Sequence, residues 1–200
     1  AFAEPMWSDP NLHDLCLGLR ADLWFGFVRS ASEGFGNQAV NTQPFRDDEL
    51  LFMHNGYVEQ FNQTVRRELL HALPHDIQAD IMGSTDSEYL FACLRQLLTD
   101  PRSSTLPDAL RRLCDLLGDW VDELPALLNM VVSDGDRLYA VRHGINHDSP
   151  SLYYSTDEEM FPGGQVIASE AFNTDGYWQP VPDHHILVLD PQAPPDLVEL

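Results

Sequence analysis

The residues best suited to chemistry are His54-Asn55-Gly56, which close the run Glu49-Leu50-Leu51-Phe52-Met53. The run predicts a buried strand, and Asn-Gly after it predicts a sharp turn. A backbone N–H and a side-chain amide can point the same way there, which is the raw material of an oxyanion hole. Arg29 ends a second strand-like run, Phe25-Gly26-Phe27-Val28-Arg29, and Ser32 adds a hydroxyl in the loop after it. Asp86 opens a helix within Gly83-Ser84-Thr85-Asp86-Ser87-Glu88. Together they offer a cation for an anionic group, a carboxylate for a cationic one, and a pair of oxyanion donors. No residue in the chain is an evident nucleophile for that site.

The elements that must position this set are legible as periods and breakers. A helix is predicted after Ser8-Asp9-Pro10 through Leu12, Leu15, Leu17 and Leu19, then a strand over 24–29 and a polar loop to Pro44. The next strand covers 50–54. Residues 57–73 show helical spacing (Val58, Phe61, Val65, Leu69, Leu70), and Pro74 ends that helix. Thr85 and Glu88 have the spacing of a capping box ahead of Tyr89-Leu90-Phe91-Ala92. A further helix runs from about Pro107 to Val121. Beyond Pro125 the period shortens to that of strands, over 127–132, 137–142, 152–154, 165–168 and 186–189, with Asp134-Gly135 as a hairpin signal. Strands, then helices, then a strand meander predict an α+β fold with largely antiparallel sheets.

The 200 residues suit one domain and are 44% hydrophobic, enough to bury a core. No apolar stretch is long enough to span a bilayer. There are 11 basic residues, all Arg, against 32 acidic ones, for a formal charge of −21. Phosphate backbones and anionic membranes would be repelled, so neither nucleic acid nor membrane is an expected partner. Such a surface suits either a salt-tolerant protein or an acidic cytosolic one. Cys16, Cys93 and Cys114 lie in helical patterns with no ligand spacing, and read as buried free thiols of a reducing cytoplasm. His71 and His75 are interrupted by Pro74. His143, His147 and Asp148 share no clear face, and His184 and His185 point opposite ways on a strand. No metal site is expected.

The stretches Val28-Arg29-Ser30-Ala31-Ser32, Asn41-Thr42-Gln43-Pro44-Phe45, Phe52-Met53-His54-Asn55-Gly56 and Gly83-Ser84-Thr85-Asp86-Ser87-Glu88 together resemble the class II glutamine amidotransferase domain. These are N-terminal-nucleophile (Ntn) hydrolases with an αββα sandwich. The likeness continues through Val132-Ser133-Asp134-Gly135-Asp136-Arg137-Leu138 and Ile167-Ala168-Ser169-Glu170, nearly the whole chain. The subgroup most resembled is the γ-glutamyl amidohydrolase of ergothioneine biosynthesis, with a glutathione-degrading subunit as a sibling.

The resemblance implies a small γ-glutamyl substrate and no metal or organic cofactor. Arg29 would grip its α-carboxylate bidentately, Asp86 would pair with its α-ammonium, and Ser32 would add a hydrogen bond. Asn55 and Gly56 would hold the oxyanion, and His54 would be structural. The family's nucleophile is an N-terminal cysteine whose own amine is the base. This chain begins Ala1-Phe2-Ala3-Glu4-Pro5, and none of its three cysteines matches that position. The expectation is therefore a sandwich lacking its first strands and its nucleophile, inactive as it stands. The alternative is a non-catalytic remnant that binds γ-glutamyl compounds or serves as a partner subunit.

Overall fold

The computed structural model describes residues 8–28, 39–157, 159–174 and 177–200. Arg29 and Ser32 lie outside the described residues. In chain order the elements are α1 (Leu12–Gly18), β1 (Phe45–Arg46), β2 (Leu51–Val58), α2 (Val65–Ala72) and α3 (His75–Ala79). Two long helices follow, α4 (Asp86–Leu98) and α5 (Leu106–Val121), then β3 (Ala126–Ser133), β4 (Leu138–Ile145) and β5 (Tyr153–Ser155). The chain closes with β6 (Val166–Ala168), β7 (Gln179–Pro180), β8 (His185–Leu189) and β9 (Asp196–Glu199).

As expected, the fold is α+β and the sheets are antiparallel. A six-stranded sheet has the order β1-β2-β3-β4-β8-β9, and a three-stranded sheet the order β6-β5-β7. Alternation along the strands assigns the two faces of the large sheet. Phe52, Leu128, Met130, Val132 and Val141 join Leu90, Leu94, Leu110 and Leu117 in the core under the helices. Ala140, Leu187 and Leu189 meet Tyr154 of the second sheet and Leu152 and Val181, which flank its strands. The described residues thus stack as helices, sheet and sheet. The second sheet covers the centre of the large sheet but not β2, where Asn55, Gly56 and Tyr57 stay exposed.

Local signals explain the best-bounded elements. At α5, Thr105 Oγ1 accepts from the Asp108 N–H at 3.2 Å, and the Asp108 carboxylate accepts from the Thr105 N–H at 3.1 Å, satisfying two orphan donors. In the β3–β4 connection Gly135 takes φ +95, and Asp134 Oδ1 accepts from the N–H groups of Asp136 and Arg137.

Several expectations need correction. Residues 24–28 form no strand, and Trp24 and Val28 are 62% and 77% exposed, because this run has no neighbour to pair with among the described residues. α1 forms, but none of its residues is buried, so Cys16 is exposed. The helix expected from Tyr57 begins only at Val65, since Tyr57 and Val58 are still pairing with β3. The capping box at α4 is half made. Thr85 accepts from the Glu88 N–H, but the Glu88 carboxylate turns outward to the N–H groups of Met82 and Gly83.

Candidate active site

The expected turn at Asn55-Gly56 does not exist. β2 runs straight through it, with Asn55 opposite Asn129 and Gly56 opposite Leu128. The long partner strand β3 overrides the turn preference of Asn-Gly. Gly56 serves a different need, close approach. A Cβ there would lie 1.8 Å from the Leu127 carbonyl oxygen and 2.8 Å from His54 Nε2. With no side chain in the way, the His54 ring crosses Gly56 to reach Leu127.

His54 is 1% exposed and is pinned at both nitrogens, 2.9 Å from Ser87 Oγ and 3.0 Å from the Leu127 oxygen. A carbonyl only accepts, so in the neutral ring Nε2 carries the proton and Nδ1 faces the Ser87 hydroxyl, whose one proton is shared between His54 Nδ1 and Asp86 Oδ1, 3.2 Å away. The structural role expected of His54 fits this geometry.

Hydrogen-bonding direction along β2 is informative. Successive N–H groups of a strand point to opposite edges. On the edge facing away from β3, the His54 N–H donates to Gln43 Oε1 at 2.6 Å, and Gln43 Nε2 donates back to the His54 carbonyl at 2.9 Å. Four residues further along the same edge, the Val58 N–H donates to Asp86 Oδ2 at 2.9 Å. Between them stands the Gly56 N–H, which has no partner among the described residues. The Asn55 carboxamide beside it is exposed and likewise makes no hydrogen bond among the described residues. Two free donors therefore sit together in an edge that is otherwise capped by side chains.

Asp86 is half-buried at the first position of α4, where its charge meets the positive end of the helix dipole. Oδ1 accepts from the Ser87 N–H at 2.7 Å and Oδ2 from Val58. A carboxylate has about four acceptor sites, so capacity remains for a cationic ligand group. The structure thus brings Asp86 to the β2 edge that also carries Gly56. Gln43 is the residue that sequence reasoning left without a role. Its place in Asn41-Thr42-Gln43-Pro44-Phe45 was visible, but nothing in the spacing told of a clamp on His54. Asn41 Oδ1 likewise accepts from the Ser84 N–H at 3.0 Å and secures the loop before α4.

Neither buried cysteine serves this site. Burial pushes the thiols of Cys93 and Cys114 up to about 12, so they stay protonated and inert at neutral pH. Among the described residues no group of three or more His, Cys, Asp or Glu could hold a metal ion. His143 and His184 do meet, with Nδ1 atoms 2.8 Å apart. A cavity of about 410 Å³ opens between β1 and α4, where Arg95 bridges Asp47 and Asp80, and neither Asn55, Gly56 nor Asp86 lines it.

Comparison with known proteins shows the family and the fold. Residues 16–161 match the model of the class-II glutamine amidotransferases. A probable glutamine amidotransferase of Saccharomyces cerevisiae, DUG3, is 30% identical over 94% of this chain and 63% of its own length. The gamma-glutamyl-hercynylcysteine sulfoxide hydrolase of Mycobacterium tuberculosis is 28% identical over 92% of this chain and 65% of its own. The chain thus spans less than two thirds of the length of these curated relatives. The solved structure of a glutamine aminotransferase class-II domain protein from Silicibacter pomeroyi superposes with a TM-score of 0.74 at 28% identity, covering 100% of this chain and 84% of that one. Glutamine phosphoribosylpyrophosphate amidotransferase from Bacillus subtilis, at 18% identity and a TM-score of 0.56, shares the fold.

Proposed function

The chain belongs to the class-II glutamine amidotransferases, and from that premise we propose that it forms the γ-glutamyl site of an amidohydrolase. One observation carries the reading: the Gly56 N–H, free among the described residues, lies in an edge whose neighbouring N–H groups are held by Gln43 and Asp86, next to the Asn55 amide, likewise free among them. As the γ-carbonyl of a substrate is attacked, its oxygen gains charge. The Gly56 N–H and Asn55 Nδ2 then stabilise it in place of solvent. Asp86 takes the α-ammonium with its remaining acceptor capacity. Arg29 takes the α-carboxylate and Ser32 adds a hydroxyl contact. The substrate class is a γ-glutamyl amide, of the kind the mycobacterial relative's name describes, and two buried free thiols suit a reducing cytoplasm.

The acyl chemistry needs a cysteine thiol that passes its proton to a base, its own α-amine in the family mechanism, as the sulfur attacks the γ-carbonyl carbon. That base then protonates the leaving amine as the C–N bond breaks, and water hydrolyses the resulting thioester to glutamate and free thiol. Cys93 and Cys114 are buried and protonated, and Cys16 lies on a helix with no buried residue. The proposal is that none of the three is that nucleophile and that the 200-residue chain binds without turnover. Incubating the purified chain with L-glutamine and with glutathione, and measuring released glutamate and its partner amine, tests this. No release is expected. Release abolished by replacing Cys16, Cys93 or Cys114 would overturn it.

A further inference from the structure

Directly across from Asn55, on the same face of the sheet, stands Asn129 of β3. It is 2% exposed. Its Nδ2 donates to the Ser151 carbonyl at 2.6 Å, and the Ser151 hydroxyl in turn donates to Glu170 Oε1 at 3.0 Å. These contacts tie Asn129 to the loops of the second sheet and fix which way its carboxamide lies. With Nδ2 committed, Oδ1 faces the other way, and it is a buried acceptor without a hydrogen-bond partner among the described residues. A buried polar group left unpaired is costly, and one beside a ligand site calls for a donor that arrives there.

We propose that Asn129 is a positioning residue for Asn55: its Oδ1 accepts one Nδ2 proton of Asn55 when a γ-glutamyl carbonyl takes the other. The inference rests on the reading of Asn55 and Gly56 as oxyanion donors. The geometry suits it. A directly opposed antiparallel pair on its hydrogen-bonding rungs has Cα atoms about 5.5 Å apart, and two asparagine side chains span that distance. The problem it solves is specific to asparagine. A carboxamide presents an oxygen and an NH2 of nearly the same shape, and an exposed one adopts either orientation. Only the orientation with N–H outward stabilises an oxyanion, whereas the flipped one repels it. A rigid acceptor at position 129 selects the productive orientation, and Glu170 and Ser151 hold that acceptor still. The Ile167-Ala168-Ser169-Glu170 segment, which the substrate contacts leave without a task, thereby gains one.

The test uses the 200-residue chain labelled with 15N and titrated with L-glutamine. The Gly56 amide reports occupancy of the oxyanion site, and the Asn55 side-chain protons report the proposed contact. In the wild type, glutamine is expected to shift the Gly56 N–H and to slow exchange of both Asn55 Nδ2 protons by about fivefold, the factor one net hydrogen bond supplies. In Asn129→Leu the Gly56 shift is expected to persist while one Asn55 proton exchanges as freely as without ligand. Asn129→Ser, whose hydroxyl is too short to reach Asn55 but keeps a small polar group at the position, is expected to give the same result with less disturbance of the fold. Equal protection of Asn55 in the wild type and both variants would overturn the role of Asn129 and leave the oxyanion reading intact. No response of Gly56 to glutamine in the wild type would overturn the oxyanion reading, and the inference with it.

Discussion

A methyl group at position 56 would press against the Leu127 backbone oxygen, which cannot swing aside, and would stand in the path of the His54 ring. Gly56→Ala is therefore expected to destabilise the fold by about 1–3 kcal/mol, as overpacking in a tight site does. Urea denaturation reads this directly, and a variant as stable as the wild type would contradict the close approach. Asp86 holds the N–H groups of Val58 and Ser87 and offers charge, and substitution removes the charge while keeping the Val58 contact. Asp86→Asn keeps an acceptor for Val58 but turns its NH2 toward the Ser87 N–H, so it should stay folded with a modest loss of stability yet lose γ-glutamyl recognition by about 2–5 kcal/mol, as when one partner of a desolvated charge pair is removed. Calorimetric titration with L-glutamine checks it, and unchanged affinity would remove Asp86 from the site. Much at this scale was legible. Asn55, Gly56 and Asp86 stood out by type and order, and the structure places Asp86 on the β2 edge that carries Gly56. What misled was the reading of Asn-Gly as a turn, because local preference carries no knowledge of the partner strand that continues the pairing to Val58.

Elements were legible where the local signal and the packing agree. The α5 helix begins at Leu106 and ends at Val121 as its Thr105–Asp108 cap and apolar spacing imply. Thr105→Ala should cost about 1 kcal/mol in thermal or urea unfolding by freeing the Asp108 N–H, and no loss would mean the cap is not formed in solution. The short strands β1, β7 and β9 carried no period long enough to recognise, and exist because a neighbouring strand offers its hydrogen bonds. Helix α1 shows the converse. Its leucine spacing is that of a packed helix, yet Leu15 and Leu17 are 41% and 64% exposed, so periodicity alone did not place it in the core or bury Cys16. Thiol labelling distinguishes these environments: in the native chain Cys16 is expected to react at once, and Cys93 and Cys114 only after unfolding. Rapid native reaction of all three would show that α4 and α5 do not bury their cysteines.

Across the whole molecule the formal charge of −21 dominates, since 11 arginines face 32 carboxyl groups. Self-repulsion at that charge opposes compactness and is screened by salt. The melting temperature is expected to rise with added sodium chloride at neutral pH, and a fall would mean that local ion pairs outweigh the general repulsion. Such pairs add a pH dependence at the acid end. Hydrogen bonds from Arg102, reinforced by Arg112, hold the Asp100 carboxyl well below the usual carboxylate range. A hydrogen bond from the Gln192 N–H, followed by one from Arg137, lowers that of Asp190. A lowered folded pKa means stability present above the ordinary carboxylate range and lost as pH falls through the folded value. Asp100→Asn should therefore melt lower than the wild type at neutral pH and lose less on acidification, a pattern that melting curves against pH would reveal.

The oxyanion pair at Asn55 and Gly56 is tested most directly by the turnover of Asn55→Ala in the chain joined to an N-terminal cysteine segment, with its melting temperature measured alongside. A donor that bonds the developing oxyanion more strongly than the ground-state carbonyl acts mainly on kcat. The expected result is a folded variant whose kcat falls by roughly 10²–10³-fold with KM little changed. Normal kcat per folded molecule, with or without a loss of stability, would contradict it and leave Asn55 as an ordinary residue of β2.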